Sequence, residues 1–418
     1  MPRYPIPQPV LDGLAEINDK ILPPTNILNA DDWNCTIEFL QQYNGNTATF
    51  NAYRREVERL LQWSWLIKQA SILILKRQDI EEYIAFCLKP PRSWIATHKS
   101  SRFKIEEGIK VPNTRWRPFV VTVSKSEHKQ GIKPSKENYQ LSQKAIREIF
   151  TVLGSFYNYL QLEEKVLANP IALIRQKSKF LQKRQTQAPV RRLTDEQWTA
   201  CLKTAQTMAD TDSKYERALF VLNALYLLYL RISELAASER WMPLMNHFYQ
   251  DSQERWWFKT VGKGNKLREI AVSDEMLEAL QRYRKSQQLS SLPSPHEQTP
   301  LISKQLGQGA ISSTKLIYDL VQHCFDKTVG NLRAKGRIEA AANLEVATAH
   351  WLRHTGISDD INKRGRPLAH VRDDAGHSSM AVTDRYNDIE LIERHKSAKN
   401  KKAIIQPEKP FRKHSSGN

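Results

Sequence analysis

Between Val166 and Thr194 the chain carries no acidic residue, while Arg175, Lys177, Lys179, Lys183, Arg184, Arg191 and Arg192 crowd into it. A segment with one sign of charge repels itself and does not fold into a core. It divides the 418-residue chain into two bodies, each with room for a hydrophobic core of its own. Glutamines, Ala188 and Pro189 interrupt its pattern, so it is expected to be an interdomain linker lying on a phosphate backbone. The whole chain agrees in sign, with a formal net charge of +18. Such an excess destabilises a compact fold by self-repulsion unless a polyanion uses it, and each phosphate neutralised releases condensed counterions. Hydrophobic residues make up 40% of the chain and there are ten tryptophans, which argues for a folded protein over a disordered one. Cys35, Cys87, Cys201 and Cys324 are scattered without paired spacing, which fits a reducing compartment and argues against a disulfide framework or a zinc site. The first residues lack an apolar signal segment and no apolar run reaches membrane-spanning length. A soluble, cytoplasmic protein without a membrane partner is expected.

Residues 1–30 are proline-rich and are expected to form an irregular arm. Residues 31–174 are expected to form a helical domain. Phe50, Tyr53, Val57, Leu60 and Leu61 recur at three- and four-residue steps, which predicts a helix with one apolar face. Arg54, Arg55 and Arg59 fall elsewhere on it. Ile146, Ile149, Phe150, Leu153, Phe156, Tyr157 and Leu160 predict a second helix, and Asn169-Pro170 is expected to end that region. Between the two helices, residues 90–131 have poor periodicity and are basic and aromatic (Arg92, Trp94, Arg102, Arg115, Trp116, Arg117). That stretch is either a solvated loop packed by its own tryptophans or an extra contact with DNA or a second subunit. Residues 175–192 are the linker. Thr194 with Gln197 makes a capping box that opens a second domain over 193–405. Ser290 to Pro300 is expected to be a polar loop, and 406–418 a flexible tail.

The second domain carries the chemistry. Arg231 follows the apolar run Ala218–Leu230, which predicts a buried helix, and Glu234 stands one turn later. A plain salt bridge is one reading of that pair; an arginine oriented for an anion is the other. Arg255 to Val261 and Leu267 to Val272 predict two strands joined at Gly262-Lys263-Gly264-Asn265. Lys263 at that tip can reach a groove or hand a proton to a leaving oxygen. His350 and Arg353 share one face of a predicted helix. His354 makes a zinc-like spacing with His350, but Trp351 stands where a zinc protease needs glutamate. Gly376-His377-Ser378-Ser379 is expected to start a short helix, and Tyr386 lies nine residues after His377. Fixed cations stabilise the charge that develops on a phosphate oxygen in flight. Arginine does this best, because its planar fork holds its proton. A phenol near pKa 10 is a poor nucleophile, and flanking cations are expected to favour its phenolate.

In order and spacing, Leu230-Arg231-Ile-Ser-Glu-Leu235, Gly262-Lys263-Gly264, His350-Trp-Leu-Arg353-His354, Gly376-His377 and Tyr386 resemble the signature of the tyrosine recombinases, the phage integrase family. The likeness runs from about Leu193 to Asp388. In the first half it is one of outline, carried by the Phe50–Trp63 helix and the Asn169-Pro170 ending. Residues 90–131 exceed the usual length there, and Asp373-Asp374-Ala375 departs from the larger apolar residue usual before Gly-His. The resemblance implies a mainly α fold with a small antiparallel β-sheet. It implies a two-domain DNA clamp, a helical core-binding domain plus the catalytic domain. Tyr386 would attack the scissile phosphate and form a 3′-phosphotyrosyl link. Arg231 and Arg353 would clamp the non-bridging oxygens and Lys263 would protonate the leaving 5′-oxygen. His350 and His377 would hydrogen-bond the phosphate, with His350 taking the tyrosine proton, and Glu234 would support the site from behind. Arg54, Arg55 and the linker cations Arg175, Lys177, Lys179, Lys183, Arg184, Arg191 and Arg192 are the candidate DNA contacts. The implied partners are double-stranded DNA, three further copies of the chain in a homo-tetramer on two duplexes, and accessory recombination proteins. The implied setting is the nucleoid, and no cofactor or metal is called for. His395 to Ile405 is a candidate for a segment exchanged between subunits. A type IB topoisomerase-like relaxing enzyme and a catalytically silent DNA-binding regulator are the rival functions.

Overall fold

The computed structural model describes residues 4–13, 30–123, 127–128, 131–176, 180, 191–262, 264–387 and 395–399, except the side chains of 173, 175 and 176. The chain forms two compact units, 1–187 and 188–418, and the division falls in the acid-free stretch of the sequence.

The first unit is built on helices α1 (Ala30–Gln41), α2 (Thr47–Trp63) and α3 (Arg77–Leu88). Four short strands follow: β1 (Ile95–Ala96), β2 (Phe103–Glu106), β3 (Ile109–Pro112) and β4 (Phe119–Val120). Helices α4 (Gln143–Leu162) and α5 (Pro170–Gln176) complete it. The predicted apolar faces meet: Phe50, Val57, Leu60 and Leu61 of α2 and Ile146, Leu153, Phe156 and Leu160 of α4 share one buried core. Asn46 and Ser142 cap these helices by accepting from Thr49 N at 3.2 Å and Ala145 N at 3.1 Å. The arm residues 4–13 form no regular element, yet they are anchored. Glu58 of α2 accepts from the backbone of Val10 at 2.6 Å and Leu11 at 3.0 Å.

The stretch 90–131 is more ordered than its sequence suggested. Strands β1 and β4 pair in parallel, and β2 and β3 form an antiparallel hairpin. Trp94 is fully buried and its indole donates to Pro5 O at 2.9 Å. Arg59 donates to Pro118 O at 3.0 Å and lies over the Phe119 ring. These aromatics pack on the helical core, which local periodicity does not reveal. A second correction concerns Pro170. It starts α5 instead of ending the region, because Asn169 Oδ1 accepts from Ile171 N at 2.8 Å. Proline is favoured in the first helical turn, where its missing N–H has no intrahelical partner to lose.

The second unit opens at α6 (Asp195–Thr211), where Thr194 and Gln197 form the capping box at 2.9 and 3.3 Å. It continues through α7 (Glu216–Leu227), the single turn α8 (Ile232–Leu235), and strands β5 (Phe248–Gln250), β6 (Trp256–Gly262) and β7 (Lys266–Ala271). Helices α9 (Asp274–Ser286), α10 (Thr314–Ala334), α11 (Ile338–Glu345), α12 (Ala349–Asn362), α13 (Leu368–Ala375) and α14 (Met380–Asp384) follow. The strands form one antiparallel sheet in the order β5-β6-β7, with Phe258 opposite Ile270 and Thr260 opposite Arg268. The third strand, β5, has no counterpart in the predicted hairpin; at three residues it is too short to show alternation. Arg255 precedes the strand and pairs with Asp251 at 2.8 Å. The architecture is mainly helical with small sheets. Among the described residues no helix is long and apolar enough to cross a membrane.

Candidate active site

The apolar helix α7 stops at Leu227, three residues earlier than its composition predicts. Tyr229 takes a left-handed backbone, φ 50°, so the chain turns and Arg231 becomes the residue that caps α8. Glu234 Oε2 accepts from the Arg231 backbone at 2.8 Å and Oε1 from its Nη1 at 2.8 Å. Arg268 of β7 grips the same carboxylate with Nη1 and Nη2, both at 2.8 Å. Burial pushes the Glu234 carboxyl up, but the Arg268 charge and hydrogen bonds, joined by those of Arg231, outweigh it and hold it below its ordinary value. Arg268 sits where two glycines leave room. A Cβ at Gly262 or at Gly376 would lie 3.0 Å from its Nη1. Gly376 also has φ 61°, a left-handed conformation that favours glycine. It closes α13 and is not the start of a new helix; the next helix begins at Met380. The polar run after Gly376 is thus a connection between two helices.

Arg353 projects from α12 and is 2% exposed. Nη1 donates to Tyr229 O and Nη2 to Ala375 O at 2.5 Å. Burial, then the charges of Arg231 and Arg268, pull its pKa down to about 9, so it stays charged at neutral pH. Its carbonyl partners belong to the turn before Arg231 and to the end of α13. One guanidinium therefore ties the Arg231 and Gly376-His377 segments together. Asp360 reinforces the tie by accepting from Tyr229 OH and from Arg366 Nη1 at 2.8 Å, while Arg366 also reaches Asp374 at 2.6 Å.

The imidazoles surround the phenol. Tyr386 is 5% exposed. Its hydroxyl is hydrogen-bonded to His354 Nδ1, and its carbonyl accepts from Asn362 Nδ2 at 2.6 Å. The His377 ring stacks on it at 6.0 Å between centroids, with His377 Nδ1 at 2.9 Å from Thr383 Oγ1. His350 is exposed and meets His354 edge-on at 4.3 Å. Desolvation by the side chains around its ring, then the charges of Arg353 and Arg231, lowers the His350 pKa despite that exposure. Burial and the surrounding cations bring His377 to about 4. Burial, His350, Arg353 and His377 bring His354 to about 3. His354 and His377 are therefore neutral at neutral pH. The phenol runs against expectation: burial raises it above 10.0, although Arg353, Arg385 and Arg231 pull it down. Desolvation outweighs the cations. Three guanidinium groups, Arg231, Arg268 and Arg353, face one carboxylate, Glu234. The cluster is short of negative charge. A cleft of about 530 Å³ opens along Arg231 and His350, with Ser233, Lys315 and Tyr318 on its wall.

Arg231, Glu234, His350, Arg353, His377 and Tyr386 thus lie in one cluster. Lys263, between β6 and β7, lies outside the described residues, as do Lys177, Lys179, Lys183 and Arg184; Arg175 is in α5 but its side chain is not described. Arg54 donates to Asp12 O at 2.6 Å, and burial brings its pKa down to about 10. Arg55 pairs with Glu56 and Glu148. Arg191 is exposed, and Arg192 bonds Ser358. Arg268 and His354 were not singled out for the site from the sequence. Strand parity carried a signal for the first, since Arg268 shares a strand face with buried Ile270. His354 enters the sequence reading through its zinc-like spacing and as the last residue of the His350-Trp-Leu-Arg353-His354 box, without a role at the phenol.

The profile of the Phage integrase family matches residues 191–391. Those residues form a domain of that family, the tyrosine recombinases. The tyrosine recombinase XerC of Chlorobaculum parvum is 24% identical over 244 residues, which are 56% of this chain and 66% of that protein. The chain thus spans just under two thirds of that curated relative. The XerH site-specific recombinase bound to palindromic difH substrate, in a post-cleavage complex, superposes with TM-score 0.52 at 14% identity, covering 91% of each chain. The Tn1549 transposon integrase in complex with circular intermediate DNA gives 0.51 at 17%, covering 88% of this chain and 99% of that one. At such identities the structural likeness is one of fold.

Proposed function

We propose that the chain is a site-specific DNA recombinase that integrates or excises a mobile element through a 3′-phosphotyrosyl intermediate. The observation that carries this reading is the gathering of Arg231, Arg353, His350 and His377 about the Tyr386 phenol. In cleavage the Tyr386 oxygen bonds to phosphorus, the bond to the 5′-oxygen breaks, and Lys263 supplies that oxygen with a proton. Arg231 and Arg353 hold the non-bridging oxygens, and His350 and His377 hydrogen-bond them. A bound phosphodiester, more negative still in the transition state, offsets the cationic excess of the cluster. The phosphotyrosyl link keeps the energy of the phosphodiester, so rejoining draws on no ATP.

The partner is duplex DNA, held by both units as a clamp, with the basic stretch 175–192 and Arg54 and Arg55 contributing contacts. The DNA named in the XerH and Tn1549 complexes supports a DNA partner. Assembly is a homo-tetramer on two duplexes in the nucleoid. Incubating the protein with DNA flanking its own gene and resolving the products in denaturing gels tests the reading. Wild-type protein forms a covalent complex; Tyr386→Phe binds DNA and forms none. A covalent complex with Tyr386→Phe rules the assignment out.

A further inference from the structure

Cleavage by Tyr386 requires that its hydroxyl proton leave as the oxygen–phosphorus bond forms. The arginines of the site are protonated and accept nothing. His377 is stacked against the ring and has Nδ1 at Thr383. The nitrogen on the phenol oxygen is Nδ1 of His354. Its ring tilts 32° from the tyrosine ring, with centroids 5.4 Å apart. His350, which the family resemblance assigns to this task, is exposed and stands one turn away, edge-on to the His354 ring.

We propose that His354 is the proton acceptor of the cleavage step, a catalytic role resting on the recombinase reading above. The phenol O–H bond breaks and its proton moves to His354 Nδ1. The Tyr386 oxygen bonds to phosphorus, and the 5′-oxygen leaves with a proton from a separate acid, Lys263. In rejoining, the imidazolium returns its proton to the tyrosine oxygen as the 5′-hydroxyl attacks.

The surroundings make this base conditional. Burial and the groups facing it, His350 and Arg353 on its own helix and His377 beyond α13, hold His354 near pKa 3. The ring is neutral at neutral pH, but it is too weak a base to deprotonate a phenol above 10.0. A phosphodiester arriving between Arg231 and Arg353 cancels the charge that disfavours the imidazolium, so base strength rises when substrate is bound. The resting protein then keeps its nucleophile protonated.

The test uses a duplex that the wild-type full chain captures covalently from fragments of host DNA. It is prepared with either a normal phosphate or a 5′-bridging phosphorothiolate at the captured position. The sulfur leaves without needing an acid. Single-turnover cleavage by His354→Ala and His354→Gln should fall about a hundredfold or more, the scale of a lost general base, with DNA binding retained. Both variants should stay slow on the phosphorothiolate, whereas Lys263→Ala should recover on it. The His354→Ala rate should climb about tenfold per pH unit above neutrality as hydroxide makes the phenolate, and added imidazole should restore part of it. His354→Gln keeps an acceptor at the phenol without a basic nitrogen, so it separates proton transfer from packing. Cleavage by the glutamine variant within about threefold of wild type overturns the assignment, as does rescue of His354→Ala by the phosphorothiolate. If the wild type captures no DNA, or Tyr386→Phe still does, the recombinase reading itself falls and this one with it.

Discussion

Arg268→Ala is the perturbation whose size the structure sets most directly. Arg268 makes two 2.8 Å charged hydrogen bonds to Glu234, and the two side chains are only 9% and 3% accessible. Removing one partner of a buried pair costs about 3–5 kcal/mol, because the other charge is left uncompensated. Arg231 still reaches Glu234 at 2.8 Å, which places the loss at the lower end, about 3 kcal/mol. In a domain of this size that lowers Tm by about 6–12 °C. Cleavage should fall as well, by about ten- to a hundredfold, since the cluster loses a guanidinium and Arg231 is drawn onto a carboxylate it now holds alone. Arg268→Lys should be intermediate in both readouts, because an ammonium cannot fork across two oxygens. The acid limb gives an independent check. Glu234 sits below its ordinary 4.5 in the folded state, so its contribution is present above that pH and is lost as pH falls through the folded value. Arg268→Ala should therefore lose stability less steeply than wild type below about pH 4.5. Thermal melting against pH and single-turnover cleavage measure all of this. A variant that melts with the wild type and cleaves as fast shows that the Glu234 bridge is not a brace for the site.

Arg353→Ala should reduce cleavage by about two to three orders of magnitude, the scale of a lost oxyanion donor; near-wild-type single-turnover rates would refute the clamp. Gly376→Ala places a methyl group 3.0 Å from Arg268 at φ 61°. It should cost about 1–3 kcal/mol in chemical denaturation and slow cleavage by shifting His377; unchanged values would mean the turn relaxes freely. His377 and His354 are held at about 4 and about 3 in the folded state. The unfolded chain binds their protons first, so stability should decline as pH falls below about 6.5. Replacing His377 with Gln should flatten that decline in a denaturant series against pH.

What the sequence could disclose follows from how local each signal is. The faces of α2 and α4, the Thr194–Gln197 cap and the β6–β7 hairpin were legible, because periodicity, capping and turn chemistry act within a few residues. The signature residues were legible by order, and those among the described residues lie together. Arg268 and the contact of His354 with the phenol were missed because their partners are distant in sequence. Glu234 is 34 positions from Arg268, and Tyr386 is 32 from His354. The left-handed Tyr229 that ends α7 is held by the contact of Arg353 with its carbonyl, a tertiary cause invisible in an apolar run. The packing of residues 90–131 failed to show for a like reason, since Trp94 bonds to Pro5 across 89 positions.

The central assignment is the covalent use of Tyr386. Digesting a trapped protein–DNA complex and mapping the modified peptide by mass spectrometry tests it most directly. The expected result is a nucleotide joined through its 3′-phosphate to the tyrosine that follows Arg385, with a free 5′-hydroxyl on the released strand. A 5′-phosphate on that strand, or attachment at any other residue, would contradict it.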